Sequence, residues 1–200
     1  MIVRSKRIAA TAAILLALPG TALAHTGVDD TTGFAHGFVH PIGGIDHVLA
    51  MVAIGLYATF LGGRALWLVP ATFVVVMALA GAFGAAGYIV PHAEAGIALS
   101  VIVLGLAVAL RVALPVLTAI VLAGLFAIFH GHQHGAEMPS DVSGLGYAAG
   151  FMMSTALLHC AGIALGLLAG RLAAQGGLGM AQVAGGAMAL AGIAILAGVL

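Results

Sequence analysis

Two short stretches hold most of the side chains in this sequence that can bind a metal or move a proton. One is His36-Gly-Phe-Val-His40-Pro-Ile-Gly-Gly-Ile-Asp46-His47, and the other is Phe129-His130-Gly-His132-Gln-His134-Gly-Ala-Glu137. Imidazole and carboxylate together, without thiolate, suit borderline divalent first-row ions such as nickel, cobalt and zinc. Only the neutral imidazole is a ligand, so binding falls as the ring protonates. On a helix, His130, His134 and Glu137 share one face at offsets of four and seven, with His132 pointing elsewhere. Gly131 and Gly135 weigh against that helix. His40 and His47 lie seven apart and nearly in line, with Asp46 one step round from His47. Asp46 is either a ligand itself or a group that orients a histidine through a hydrogen bond. Gly43 and Gly44 weaken the first turn there and let the backbone approach an ion or a neighbouring helix. They also read as packing glycines, which membrane helices use freely.

Both stretches adjoin long apolar runs, so polar groups are being carried toward a membrane. A charged Asp at the centre of a membrane helix costs roughly 2.5–3.5 kcal/mol on insertion scales, and Asp46 therefore needs a compensating partner. The second stretch is the natural one, which makes the two a single site. His159 lies alone in another apolar run, and an imidazole there marks a pathway or needs a partner of its own. His25, His36, His92 and His132 can join the site but read as well as interfacial polar residues. Met51, Met77, Met152 and Met153 are read as packing residues.

The composition fixes the setting. Of 200 residues, 63% are hydrophobic and only 6% charged, and the mean hydropathy is +1.24, whereas soluble domains carry about a quarter charged residues. The fold class expected is an all-α membrane protein. No basic cluster exists to bind nucleic acid. Cys160 stands alone and cannot form an intrachain disulfide, and thiolate-rich zinc or copper(I) sites are excluded. Lys6 is the only lysine, so a G-x-x-x-x-G-K-[ST] phosphate loop is absent and the chain does not hydrolyse ATP by that route.

Residues 1–24 have the form of a cleavable secretory signal: Arg4, Lys6 and Arg7, an apolar stretch from Ile8 to Leu18, and Ala22-Leu23-Ala24 before His25. An uncleaved signal anchor is the alternative. The mature chain, 25–200, is expected to be one six-helix transmembrane domain. Residues 25–39 read as a short polar extracytoplasmic segment, and Pro41 as a first-turn helix residue. The helices are expected at about 41–61, 66–88, 95–112, 115–130, 145–168 and 180–200. Gly62-Gly63-Arg64 forms a tight turn, 131–143 a polar loop, and Gln175-Gly-Gly the last turn. Six spans after an exported N-terminus place Arg64, Arg111 and Arg171 on one side, and positive charge in short loops marks the cytoplasmic face. His25, His36, His40, His92, His130, His132 and His134 then gather at the outer, periplasmic face, with His47 entering from it and His159 deeper. Localisation is thus expected in the cytoplasmic (inner) membrane. Gly146-x-x-x-Gly150 and Gly162-x-x-x-Gly166-x-x-x-Gly170 let helices pack closely, within the chain or in a homo-oligomer.

His40 followed by Asp46-His47, together with Phe129-His-Gly-x-x-His134-Gly-x-Glu137, resembles the HupE/UreJ family of nickel/cobalt permeases, across essentially the whole mature chain. The resemblance implies a secondary permease that takes up nickel, in some members cobalt, for hydrogenase or urease maturation. It implies no resident cofactor, since the divalent ion is the substrate, and no catalytic activity. By motif match it carries the metal-handling role to His40, Asp46, His47, His130, His134 and Glu137; His132 falls at a variable position.

Two rival readings use the same residues. An intramembrane metal-dependent hydrolase would hold one ion tightly between His40, His47 and His130 or His134, with Glu137 or Asp46 as base. A haem-binding cytochrome would need histidines facing one another at similar depth, and most of these lie at the boundary.

Overall fold

The structure is a computed structural model that describes residues 30–173 and 179–200. The signal segment at 1–24, His25 and the turn at Gln175 lie outside the described residues. Every regular element among the described residues is an α-helix, with no strand: α1 Asp30–Gly43, α2 Ile45–Leu61, α3 Ala65–Ala85, α4 Ala93–Ala109, α5 Val116–Ala136, α6 Gly144–Ala173 and α7 Met180–Leu196.

α3, α5 and α6 are each long and apolar enough to cross a bilayer, and α1 with α2 would make a fourth crossing if that bent pair is one span. α4 and α7 are apolar but shorter. Large apolar side chains such as Trp67, Leu79, Leu117, Val121, Leu165 and Leu190 face outward from the bundle. Outward Leu, Val and Trp on these helices need a lipid surround to be stable, and the chain is a membrane protein.

α2 is the central helix. It contributes Ala50, Met51, Ala53, Ile54, Leu56, Tyr57 and Ala58 to the core, and the other six helices pack around it. It ends at Gly62 and Gly63, whose φ of 66° and 52° fall in the left-handed region that glycine enters without steric cost. That is the tight turn expected before Arg64.

Two expectations change. Residues 30–39 are not an irregular segment: they form α1, and Pro41 stands in its last turn. The chain then bends by 82° at Gly44, which is extended with φ −98° and ψ 119°. The first helix beyond the break therefore begins at Ile45 rather than at Pro41. Its polar and glycine-rich composition makes α1 a poor helix alone, and it holds its form by docking on α6. Gly33 and Gly37 lie against the backbone of Ser143 and Tyr147, and Gly150 against Phe34 and Phe38. The second change is in the histidine stretch. Residues 131–136 are not loop but the last turns of α5, and Gly131 and Gly135 are what seat that helix against α3.

The glycine rows of α6 are used within the chain: Gly150 meets α1, and Gly162 and Gly166 meet α2 at Val52, Gly55 and Thr59. A Cβ added at Gly170 would meet nothing within 4 Å among the described residues. α6 also runs to Ala173, five residues past the expected 168.

The two ends of the bundle differ in chemistry. One end has a cavity of about 260 Å³ bordered by Thr59, Phe60, Arg111, Gly170 and Gln182, with the Arg111 guanidinium 5.4 Å from the centre of the Phe60 ring. The other end has a cavity of about 440 Å³ bordered by Asp46, His47, Glu94, Gln133 and Glu137.

Candidate metal-handling site

The acidic end leads into a file of imidazoles drawn from three helices. The break at Gly44 turns α1 so that His40 faces α5, while α2 starts with Asp46 and His47. A Cβ at Gly44 would come 2.7 Å from Asp46 Oδ1 and 3.1 Å from His47 Nδ1, so a side chain at that corner would push into the pair. α5 supplies His130 and His134 one turn apart on its inward face, and Glu137 caps its end.

The ring centres lie 5.0 Å apart for His40 and His134, 4.6 Å for His134 and His47, and 4.8 Å for His47 and His130. Metal–nitrogen bonds of about 2.0–2.1 Å put two rings that share an ion roughly 5–6 Å apart. Neighbouring members of the file are thus close to the spacing that a shared ion requires. The groups at the mouth are partly exposed, with side-chain exposure of 44% at Glu137, 30% at His40 and 28% at Asp46, whereas His134, His47 and His130 are buried.

Beyond His130 the file meets Phe73 of α3, whose ring centre is 5.4 Å from His130 and 5.3 Å, edge to face, from His159. His159 of α6 is buried and borders a separate cavity of about 330 Å³ with Trp67, Pro70 and Cys160. Phe73 thus contacts both the last ring of the file and His159.

Hydrogen bonds fix several of the rings. Glu137 accepts from Gln133 through Oε1, and its Oε2 is 2.9 Å from His40 Nε2. Asp46 Oδ1 is 2.8 Å from His47 Nδ1 and also accepts from the His47 backbone N–H. The carboxylates can only accept, so His40 turns its Nδ1 free of Glu137, and His47 presents its bare Nε2 to the file. His47 Nε2, His130 Nδ1 and both nitrogens of His134 and of His159 are buried with no hydrogen-bond partner among the described residues. Buried polar atoms nearly always find partners, so this run of unpartnered imidazole nitrogens is unusual, and such lone pairs are suited to borderline divalent ions. The described residues hold no three His, Cys, Asp or Glu groups posed to hold an ion together. The arrangement is a series of pairs, not a closed cage.

Of the residues singled out by sequence, His40, Asp46, His47, His130, His134 and Glu137 come together, and His159 stands one aromatic ring away. His132 does not join them: its Nε2 is 2.7 Å from the Tyr88 carbonyl, on the opposite side of α5. His36 is exposed on α1, and His92 is an exposed, left-handed residue before α4 with φ 57°. The sequence argument missed Phe73, Ser100, Glu94 and Tyr147. Ser100 had a usable signal, as the only polar side chain between Glu94 and Arg111. Phe73 had none, because nothing separates it by type from any core phenylalanine.

A bundle of apolar helices enclosing such a file defines a helical membrane protein with an intramembrane histidine site. The chain belongs to the HupE/UreJ family, whose description, HupE / UreJ protein, is matched over residues 13–195. It is 48% identical over 183 residues to a curated protein of Rhizobium leguminosarum bv. viciae described as Protein HupE, covering 92% of this chain and 94% of that one. No solved structure matches it.

Proposed function

We propose that this protein is a secondary permease that takes up divalent nickel or cobalt across the cytoplasmic membrane, supplying hydrogenase or urease maturation. The observation that carries the reading is the file of imidazoles at near-constant spacing, running from a partly exposed, carboxylate-lined mouth into the buried interior. Family membership supports the same substrate class.

On this reading α2 to α7 are the six spans, and α1 packs on α6 beside the outer mouth. α2, α4 and α7 have 17 residues each, about 25 Å of helix and the short end of the spanning range. The acidic and histidine-rich end faces the periplasm and the arginine end the cytoplasm. An ion is drawn in by Asp46, Glu94 and Glu137, exchanges water for the His40, His134 and His47 rings, and passes His130 toward His159 as Phe73 moves aside. Pairwise sites held in series bind weakly enough to release, which conduction requires. A hydrolase would need at least three ligands closed on one ion with an open position, and no observation here favours that.

Uptake of radioactive nickel and cobalt into cells expressing the chain tests the reading. His47→Ala and Glu137→Ala, at matched membrane abundance, should each fall to the empty-vector level. Wild type no better than empty vector for both ions would overturn the proposal. Uptake should also decline as the outer pH drops through the imidazole range, which burial shifts below its ordinary 6.5 for His40 at the mouth. The neutral rings present above that range are ligands, whereas the imidazolium formed below it has no lone pair and repels the ion. A profile that stays flat from about pH 7.5 down to about 4.5 would show that histidine ligation does not limit transport.

A further inference from the structure

Ser100 sits midway along α4, fully buried, and has no place in the motifs above. Its hydroxyl carries a single hydrogen, which it donates to the Ile97 carbonyl at 2.6 Å. His130 Nε2 lies 2.9 Å from the same oxygen. With its hydrogen already committed, the oxygen can only accept there, so Nε2 must carry the imidazole proton. A neutral ring has one N–H, which leaves Nδ1 as a bare lone pair. That Nδ1 is buried with no partner among the described residues, and the ring stands edge to face with His47 at 4.8 Å.

We propose that Ser100 is a positioning residue for transport: together with the Ile97 carbonyl it locks His130 in the Nε2–H tautomer and so presents Nδ1 to the divalent ion. Asp46 does the converse for His47, holding Nδ1–H and presenting Nε2. The two innermost rings of the file, His47 and His130, thus offer opposite nitrogens, one fixed from α2 and the other from α4. Without the Ser100 oxygen, His130 is free to place its proton on either nitrogen and to turn, and the lone pair facing the file is no longer assured. The ligand role of His130 rests on the permease reading; the tautomer does not.

The test joins a spectrum to a transport assay. Purified protein carrying 15N-labelled histidine is examined by NMR without added metal, at a pH where the rings are neutral, with His130 assigned by its loss in His130→Asn. Wild type should show His130 protonated on Nε2, and Ser100→Ala should show a mixture of tautomers or a switch. Groups that orient metal ligands typically contribute ten- to a hundredfold, so nickel or cobalt uptake should drop by about that factor in Ser100→Ala. Ser100→Thr, which keeps the hydroxyl, should restore both the spectrum and the uptake. Wild-type His130 protonated on Nδ1 overturns the proposal whether or not any variant folds. So does Ser100→Ala uptake equal to wild type at matched abundance, because a lost hydroxyl would then leave the ligand undisturbed. If wild type shows the expected tautomer but carries neither ion, the permease reading fails and takes the ion's role with it.

Discussion

Gly135→Ala should be the most damaging single methyl group in the protein. α3 and α5 run side by side, and at Gly135 a Cβ would be driven into the Gly81 carbonyl and come 2.7 Å from the Ala85 nitrogen. These are backbone atoms, so no rotamer change relieves the clash and the two helices must separate. Overpacking of this kind costs typically 1–3 kcal/mol, and the displaced segment carries His130, His134 and Glu137. The expected result is a lower melting temperature in detergent, followed by heating and size-exclusion chromatography, together with loss of uptake. Gly186→Ala is the matched comparison. Gly186 lies in α7 with nothing within 4 Å of its added Cβ, so the same substitution should raise helix stability by about 0.5–1 kcal/mol. Equal melting of Gly135→Ala and wild type would mean that α3 and α5 are not held at this distance.

Much of the site was legible in the sequence because the membrane makes polar residues conspicuous. Asp46 and His47 opening one apolar run, with His130, His134 and Glu137 closing another, are hard to explain unless they meet, and they do. The one-sided placement of the arginines likewise anticipates the two unlike ends of the bundle. What escaped reading depends on contacts distant in sequence. α1 contains three glycines and two threonines and has little helical preference of its own; it is a helix because Gly33 and Gly37 let it lie on α6. The 82° bend at Gly44 brings His40 over His134; Gly43 and Gly44 marked a weak turn there, but the direction of the bend depends on the docking of α1. Pro41 misled because its missing N–H costs nothing in a first turn, whereas in the last turn of α1 it forgoes the bond to the carbonyl four residues back, a loss that docking on α6 offsets. In α5, Gly131 and Gly135 read locally as helix breakers. Their cost is offset by close packing on α3, so the helix that sets the histidine spacing is stabilised by the residues that argued against it.

His134→Leu should separate stability from function, with opposite signs. His134 is fully buried, and neither of its ring nitrogens has a hydrogen-bond partner among the described residues. It is stacked on Phe151 at 5.3 Å, with His40 and His47 on its other sides. A buried polar group left unsatisfied costs about 1–3 kcal/mol, and leucine fills similar space without that cost. The metal-free variant should therefore melt higher than wild type while its uptake of nickel and cobalt falls to the empty-vector level. His132→Leu supplies the contrast. His132 is held to the Tyr88 carbonyl on the other side of α5, so its replacement should lower stability by about 1 kcal/mol and leave uptake intact at matched abundance. Two histidines two residues apart in one helix would then respond in reverse. A side chain retained for packing stabilises the fold that holds it, whereas one retained for an ion is kept at the expense of the empty protein. If His134→Leu instead melts lower and still transports, His134 is a packing residue and the file is broken at its centre.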